Sequence, residues 1–174
     1  MKRKVNVSDY AHHITEMLPK GILLNTNGDK FNSMVIAWGH LGTIWSLPAF
    51  VVYVRQSRYT KPQLDKTGEF SISVPMGKDA SLSSEIMHVF GSVSGRDVNK
   101  ADYVTLAEGA SIRTPGIREY PLTLECKVLY QQDQVLDGIS QEIRQRFYTH
   151  GGDDGDYHTA YIGQIVNAYI ITEE

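Results

Sequence analysis

Short blocks of apolar residues, alternating with polar ones, follow one another along most of the chain, a pattern that predicts β-strands. In residues 69–75, Phe70, Ile72 and Val74 alternate with small polar residues, and residues 119–131 repeat this alternation over a longer stretch. The last strand carries apolar residues on both faces, which indicates burial on both sides. Strands are therefore predicted at 21–24, 31–38, 48–54, 69–75, 103–106 (the weakest), 119–131 and 158–172.

Helical periodicity is confined to short segments between these strands. Ser8 and Thr60 are suited to cap two helices, Gly91 is suited to end a third, and Asn27-Gly28 predicts a two-residue hairpin turn. The predicted helices cover residues 8–18, the segment after Thr60, 79–90 and 140–148. Because strands do not alternate regularly with long helices, we predict a mainly β fold, an antiparallel sheet or barrel with short peripheral helices, in one domain over residues 1–174.

Composition narrows the class of protein. The chain has 174 residues, 41% of them hydrophobic and 21% charged, as expected of a soluble globular protein. Its net charge of −3 argues against broad nucleic-acid binding, and no segment approaches the roughly 20 apolar residues of a membrane span. The basic residues 1–4 lack the apolar run of a signal peptide, and Cys126 alone cannot form an intrachain disulfide. We therefore expect a cytoplasmic protein.

A candidate phosphate pocket lies at the end of the predicted strand 48–54. The loop that follows supplies two arginines and two hydroxyls, and Pro62 fits the first turn of the next helix. A helix start offers unpaired N–H groups and a partial positive charge, and a guanidinium matches phosphate oxygens in a fork. A solvated loop between strand and helix is the alternative. The side chains in question are Arg55, Ser57, Arg58 and Thr60.

Four segments in this order resemble flavin reductase-like, flavoredoxin-type proteins: residues 32–39, 54–60, 91–100 and 155–165. The resemblance covers nearly the whole chain and implies the antiparallel FMN-binding split β-barrel, FMN as cofactor, and a homodimer with flavin sites near its interface. Two positions depart from the family. Many relatives carry cysteine where this chain has Phe90, and glutamate where it has Gln164.

The resemblance also implies roles for individual residues. The phosphate would contact the arginine loop, with Tyr59 beside it. The ring and ribityl chain would lie along one strand, and a second loop would approach the cofactor. The implied cofactor contacts are Asn32, Ser33, Met34, Val35, Ile36, Ala37, Trp38, Arg55, Ser57, Arg58, Tyr59, Thr60, Ser94, Arg96 and Lys100. In related flavin reductases a histidine at a similar motif lies near the nicotinamide or the flavin, so His158 is a candidate for that contact.

Ordinary structural roles are the alternatives for several of these residues. Met34 and Ile36 fit a plain core, and Trp38 could close the barrel end. Arg96 and Lys100 could be surface charges beside Asp97 as a helix cap. Tyr59 could pack on its own sheet, and His158 could be structural or solvated.

No metal site is predicted. A cluster of imidazoles and carboxylates near the last strand has a spacing that matches neither a calcium loop nor a paired-histidine zinc helix. A solvated turn explains it better. Cys126 alternates with apolar neighbours and is interpreted as core. The cluster consists of His150, Asp153, Asp154, Asp156 and His158.

These observations lead to three functional hypotheses. The first is an FMN-dependent oxidoreductase in which NADH or NADPH passes a hydride to flavin N5; no catalytic acid or base is predicted, because the flavin supplies the reactivity. The second is a flavoredoxin-type electron carrier that serves a redox protein partner without direct NAD(P)H activity. The third is a split-barrel protein that binds another phosphorylated cofactor.

Overall fold

A computed structural model of the chain describes residues 1–78, 80–149 and 156–172. Within these ranges the helices are α1 (Ala11–Met17), α2 (Thr60–Thr67), α3 (Ser84–Ser92) and α4 (Gln141–Phe147). The strands are β1 (Lys2–Lys4), β2 (Ile22–Asn27), β3 (Phe31–Ile36), β4 (Gly39–Ile44), β5 (Leu47–Arg55), β6 (Glu69–Val74), β7 (Leu106–Ala107), β8 (Gly116–Ile117), β9 (Leu122–Asp133) and β10 (His158–Ile171). None of the helices in these ranges is long and apolar enough to cross a membrane.

Eight strands form one antiparallel sheet in the order β3-β2-β6-β9-β10-β5-β4, with β1 paired to β10. The 14-residue β10 pairs with β9 along one edge, while its first half pairs with β5 and its end with β1. The register slips next to Gly163, where a Cβ atom would lie 2.5 Å from the Phe70 ring. A glycine there lets the aromatic ring pack directly on β10. The mainly β, antiparallel architecture is thus confirmed.

Apolar clusters lie on both faces of the sheet. Leu24 belongs to the larger cluster, which also takes in Phe50, Phe70 and Ile14 of α1. Leu23, its neighbour along β2, faces the other way, into a cluster that includes residues of α3. Successive side chains of β2 therefore pack into apolar clusters on opposite faces of the sheet. The prediction that Cys126 belongs to the core is confirmed, because its side chain is fully buried in the larger cluster.

The β4–β5 hairpin is absent from the sequence-based prediction, which also extended β3 to residue 38 instead of ending it at Ile36. Its turn consists of Trp45 and Ser46, whose φ values of 51° and 60° place both in the left-handed region. Asn-Gly is the usual signal for such a turn, and Trp-Ser gives none. At Asn27-Gly28 the predicted hairpin exists, but Asn27 pairs with Phe31 and the loop has three residues.

Helix ends also differ from their predictions. Asn6, not Ser8, caps the first helical turn. The predicted helix 79–90 begins five residues later, at Ser84, and Gly91 lies inside it. Ser83 caps it, since its hydroxyl accepts a hydrogen bond from the N–H of Ile86 at 3.2 Å. Asp79 lies outside the described residues. Most of the weak strand 103–106 is not a strand, because only Leu106 pairs, with β8.

Candidate functional site

Two adjoining cavities line one side of β3 and share Met34, Val35 and Arg58, so that together they form one continuous groove. The first, of about 190 Å³, is called the basic cavity and is lined by Asn32, Met34, Val35, Ser57, Arg58, Tyr59, Thr60, Phe90, Gly91, Ser92, Val93, Ser94, Gly95, Arg96 and Lys100. The second, of about 220 Å³, is called the aromatic cavity and is lined by Met34, Val35, Ile36, Ala37, Trp38, Tyr53, Arg55, Arg58 and His158.

The groove brings together the residues that the sequence singled out, with Ser33 as the exception. Ser33 lines neither cavity; its buried hydroxyl donates to Asn25 Oδ1 at 2.7 Å on the other side of the strand. Its backbone still serves the groove, because the carbonyl oxygen accepts a hydrogen bond from Lys100 Nζ at 2.7 Å.

Lys100 is the most unusual charge in the basic cavity. Its side chain is buried, and the ammonium group donates to the carbonyl oxygens of Ser33 and of Phe90, the latter at 3.4 Å. In the described ranges it has no carboxylate partner. Burial, followed by the nearby Arg58 charge, lowers the Lys100 pKa from 10.5 to about 8. The interpretation of Lys100 as a surface charge is therefore wrong.

Two arginines add to this positive end of the groove. Arg58 is exposed, and its guanidinium has no hydrogen-bond or ion-pair partner among residues 1–78, 80–149 and 156–172. Arg96 donates from Nη1 to the Ser57 carbonyl oxygen at 3.4 Å and lies 5.0 Å from the Tyr59 ring centroid. Among the described residues, no carboxylate side chain lines the cavity to offset these charges. Such an arrangement favours a bound anion.

The start of α2 differs from the prediction that Thr60 caps it. Tyr59 occupies the cap position with helical φ and ψ of −59° and −24°, and no side chain caps the helix. Thr60 is the first helical residue, and its buried hydroxyl accepts from Asn32 Nδ2 at 3.0 Å. The backbone N–H groups of Tyr59 and Thr60 have no partner in the part of the chain that the structure describes. They are available to an anion in the cavity.

Arg55 and Ser57 already have partners within the chain. Arg55 donates to the carbonyl oxygens of Asp156 at 2.7 Å and Phe147 at 2.8 Å. The Asp156 carboxylate accepts from the Ser57 N–H at 3.0 Å and from its hydroxyl at 2.6 Å. In this arrangement Arg55 and Ser57 hold the arginine loop on the start of β10. The Ser57 hydroxyl donates to Asp156, whereas the Arg55 guanidinium keeps further N–H groups where it lines the aromatic cavity. In the sequence Asp156 stood out only as part of the segment 155–165 and of a cluster that was interpreted as a solvated turn, and its contact with Ser57 was not predicted.

Two members of that cluster, Asp156 and His158, lie among the described residues. His150, Asp153 and Asp154 lie outside the described residues, while the Asp156 carboxylate bonds Ser57 and His158 Nδ1 faces the Tyr148 hydroxyl. Among the residues that are described, no group of three or more histidine, cysteine, aspartate or glutamate side chains could hold a metal ion.

Asn32 presents a polar atom that nothing in the described chain satisfies. Its side chain is buried, and while Nδ2 donates to Thr60, Oδ1 has no hydrogen-bond partner. A Cβ atom on Gly95 would lie 2.0 Å from Oδ1, so only glycine permits this close approach of the second loop. A buried acceptor without a donor is costly. Asn32 is therefore suited to receive a hydrogen bond from a ligand in the cavity.

Aromatic side chains surround His158 at the other end of the groove. Trp38 is 43% exposed and packs edge-on against Phe147, with ring centroids 5.2 Å apart; its ring is 5.3 Å from that of His158. His158 is buried, and burial, followed by the Arg55 charge, lowers its pKa from 6.5 to about 4. The interpretation of His158 as a solvated histidine is wrong. It is a neutral ring at neutral pH.

Sequence reasoning missed Tyr53, Tyr148 and Gln134 at this end of the groove. Tyr53 lines the aromatic cavity, and its ring centroid is 6.5 Å from that of His158. Tyr148 lies at the end of the correctly predicted α4 and reaches His158 through its hydroxyl. Only the pairing of β9 with β10 brings these segments together, and no local motif marks it.

Residues 16–174 match the family model of the flavin reductase-like domain. The chain belongs to the flavin reductase-like family. The matched range includes all the residues that line the groove. The family resemblance inferred from the four sequence segments is therefore confirmed. The family is one of flavin-binding oxidoreductases, and the groove is the candidate flavin site of this member.

Three solved structures show the same fold at low sequence identity. Flavoredoxin from Methanosarcina acetivorans has a TM-score of 0.64 and 24% identity, over 87% of this chain and 68% of that one. An FMN-binding domain of a flavin reductases-like enzyme from Shewanella baltica OS155 has a TM-score of 0.65 and 19% identity, over 98% and 77% of the two chains. The NADH:FAD oxidoreductase SgcE6 from Streptomyces globisporus C-1027 has a TM-score of 0.62 and 17% identity, over 87% and 75%.

The two departures from the family pattern occupy different environments. The buried Phe90 side chain lines the basic cavity, and its ring centroid lies 5.3 Å from Lys100 Nζ. Gln164 is half-buried in β10, opposite Ala49 of β5 and Lys127 of β9, and lines neither cavity. Phe90 therefore changes the site itself, whereas Gln164 changes the sheet.

Proposed function

We propose that this flavin reductase-like protein binds FMN and accepts a hydride from NADH or NADPH. The observation that carries the proposal is the buried ammonium group of Lys100, which has no carboxylate partner in the described chain and lies beside Arg58. A buried charge without a counterion is costly, and a phosphate dianion would compensate it.

The basic cavity supplies donors suited to a phosphate group. Arg58 and Arg96 offer guanidinium groups, and the N–H groups of Tyr59 and Thr60 at the uncapped start of α2 have no partner in the described chain. Charge-assisted hydrogen bonds of this kind are about twice as strong as neutral ones. Similarity to the FMN-binding domain from Shewanella baltica supports the same ligand. We expect Arg55 and Ser57 to support this pocket by holding the arginine loop against the start of β10.

The middle of the groove is suited to a planar ring. Met34, Val35 and Ile36 offer apolar contact along β3, and Asn32 offers its unpartnered oxygen at the edge. When bound there, the flavin supplies hydride acceptance at N5. The protein holds the ring, keeps water from one face and leaves the aromatic cavity beside it for a second planar group.

The electron-carrier hypothesis differs in what reduces the flavin. Similarity to the Methanosarcina acetivorans flavoredoxin supports it, while similarity to the NADH:FAD oxidoreductase SgcE6 supports the reductase. The test is to mix purified, FMN-loaded protein with NADH or NADPH without oxygen and follow the flavin absorbance. Rapid bleaching is the expected result. A band that stays unbleached with both donors would rule out direct reduction and favour a carrier with a protein partner.

The third hypothesis, another phosphorylated cofactor, is tested by spectrum and mass. We expect the untagged, purified protein to show a flavin absorbance and to release FMN on denaturation. Release of a different phosphorylated compound would replace FMN in the proposal.

The assembly and location belong to the same proposal. We expect one domain over residues 1–174, a homodimer and a cytoplasmic location. Exposed apolar side chains support a subunit interface, among them Trp45 (60% exposed) and Tyr130 (47%). Light scattering at micromolar concentration tests the dimer, and a monomer would contradict it.

A further inference from the structure

Beyond the flavin groove, the structure contains a chain of hydrogen bonds that ends on His158. It begins at the backbone of His158, whose N–H lies 3.1 Å from the side-chain oxygen Oε1 of Gln134. A backbone N–H can only donate, so the Gln134 atom that faces it must be the carbonyl oxygen and not the amide nitrogen. Gln134 N also donates to the His158 carbonyl oxygen at 2.9 Å, which holds the two residues in register.

Tyr148 is the next member of the chain. Its hydroxyl oxygen lies 2.9 Å from the same Gln134 Oε1 and 2.9 Å from His158 Nδ1. A tyrosine hydroxyl has one proton to donate. Because Gln134 Oε1 can only accept, that proton goes to Gln134, and the Tyr148 oxygen accepts from His158 Nδ1–H. In the neutral imidazole the proton is therefore on Nδ1, and Nε2 carries a lone pair.

The remaining nitrogen has no competing partner. In the described ranges no hydrogen bond reaches His158 Nε2, and His158 lines the aromatic cavity together with Trp38 and Tyr53. Burial keeps the ring neutral, with a pKa lowered to about 4. A neutral acceptor between aromatic rings suits a planar ligand that brings its own N–H or O–H.

We propose that Gln134 and Tyr148 are positioning residues that hold His158 as the Nδ1–H tautomer, so that Nε2 accepts a hydrogen bond from a planar donor ligand in the aromatic cavity. A carboxamide on an aromatic ring and a phenol share this donor chemistry. The assignment of the His158 tautomer does not depend on the proposed function. The ligand part rests on the proposed function, since the donor ligand would lie beside the flavin.

The tautomer is measured directly by nitrogen NMR of labelled protein at pH 7, without any added ligand. The His158 signal is assigned as the one lost in His158→Asn. We expect the wild type to show Nδ1 protonated and Nε2 unprotonated, although free imidazole side chains favour the opposite tautomer. A wild-type spectrum with the proton on Nε2 overturns the proposal, whatever the variants do.

Two matched variants separate positioning from packing. Tyr148→Phe removes the acceptor, and we expect the proton to move to Nε2 in most molecules. Tyr53→Phe removes a hydroxyl from another ring that contacts His158 without bonding to it, and we expect the tautomer to stay as in wild type. An unchanged tautomer in a folded Tyr148→Phe protein overturns the role of Tyr148.

The ligand part is tested with nicotinamide and N,N-diethylnicotinamide, the second of which lacks amide N–H groups. We expect nicotinamide to shift the His158 Nε2 signal of FMN-loaded protein and to bind at least about fivefold more tightly. Equal affinities, or no shift with nicotinamide, overturn the assignment of a donor ligand. If the protein takes up no FMN, the proposed function fails and the ligand part fails with it, whereas the tautomer part is still decided by the NMR measurement on the protein without ligand.

Discussion

Each end of the groove buries one titratable side chain, but the two side chains differ in charge and in hydrogen-bond partners. Lys100 in the basic cavity has two carbonyl oxygens and no carboxylate partner in the described chain, with Arg58 nearby. His158 in the aromatic cavity is neutral and has a complete hydrogen-bond chain behind it. The basic end carries a charge that no described residue neutralises, whereas the aromatic end carries no net charge on its buried ring and leaves only His158 Nε2 without a partner in the described chain. If the proposed function holds, the basic end anchors the FMN phosphate and the aromatic end selects the second ligand.

Removing the charge at the basic end is expected to have the largest effect. Lys100→Met should weaken FMN binding about 100-fold, because a charge-assisted contact to the phosphate is lost while the apolar chain length is kept. The unliganded protein should be no less stable, since a costly buried charge is removed. Titration calorimetry and thermal melting measure both quantities.

Lys127→Met is the matched control, because Lys127 is exposed on β9 away from the groove. It should leave FMN affinity unchanged. Equal losses in the two variants, or none in Lys100→Met, would remove the distinction between the two ends.

The second prediction uses pH. The lowered Lys100 pKa of about 8 means that the ammonium loses its proton between pH 7 and pH 9 in the unliganded protein. FMN affinity should therefore fall about tenfold over this range. Dissociation constants measured at half-unit steps test this, and Lys100→Met should flatten the curve. A wild-type affinity that rises with pH would contradict the assignment.

The third prediction ranks the arginines. Arg58 has no partner among the described residues, while Arg96 also bonds the Ser57 carbonyl oxygen. Arg58→Ala should therefore weaken FMN binding about fivefold more than Arg96→Ala, by roughly 1 kcal/mol. Fluorescence titration of both variants, each shown to be folded, measures the ratio. Equal dissociation constants would refute this order.

The fourth prediction concerns the aromatic end and stability. The His158 pKa is lowered from 6.5 to about 4, so the folded state favours the neutral ring. The resulting contribution of His158 to the free energy of unfolding is complete above pH 6.5 and is lost as pH falls towards 4. From pH 6.5 to pH 5 wild type should lose about 1 kcal/mol more unfolding free energy than His158→Gln. Urea unfolding at both pH values measures the difference, and parallel losses would contradict it.

Most of the groove could be predicted from the sequence because its residues lie in four short segments that match the family pattern. Arg58 and Lys100 are examples, although the burial of Lys100 could be seen only once α3 and β3 were in place. Thr60 was assigned a capping role because hydroxyl residues favour that position, but its hydroxyl bonds Asn32 from a neighbouring strand.

The residues that the sequence did not reveal depend on contacts between distant segments. Gln134 and Tyr148 reach His158, which the sequence had already singled out, only across the β9–β10 pairing. Each of these two is by itself an ordinary polar residue at the end of an element. The β4 strand was missed for a local reason, because the Trp45-Ser46 turn has no glycine or asparagine to mark it. The hydrophobic periodicity of the sequence predicts neither which strands pair in the folded protein nor a turn with an unusual sequence.

The place of β10 in the sheet has a consequence for how the protein is made. It lies between β9 and β5, and its first residues pair with the strand that ends at Arg55. Asp156, just before it, holds Ser57 across 99 positions of sequence. During translation the arginine loop therefore emerges long before the segment that gives it shape. A nascent chain that stops short of β10 should bind no flavin, so under the proposed function FMN can bind only once β10 has been synthesised.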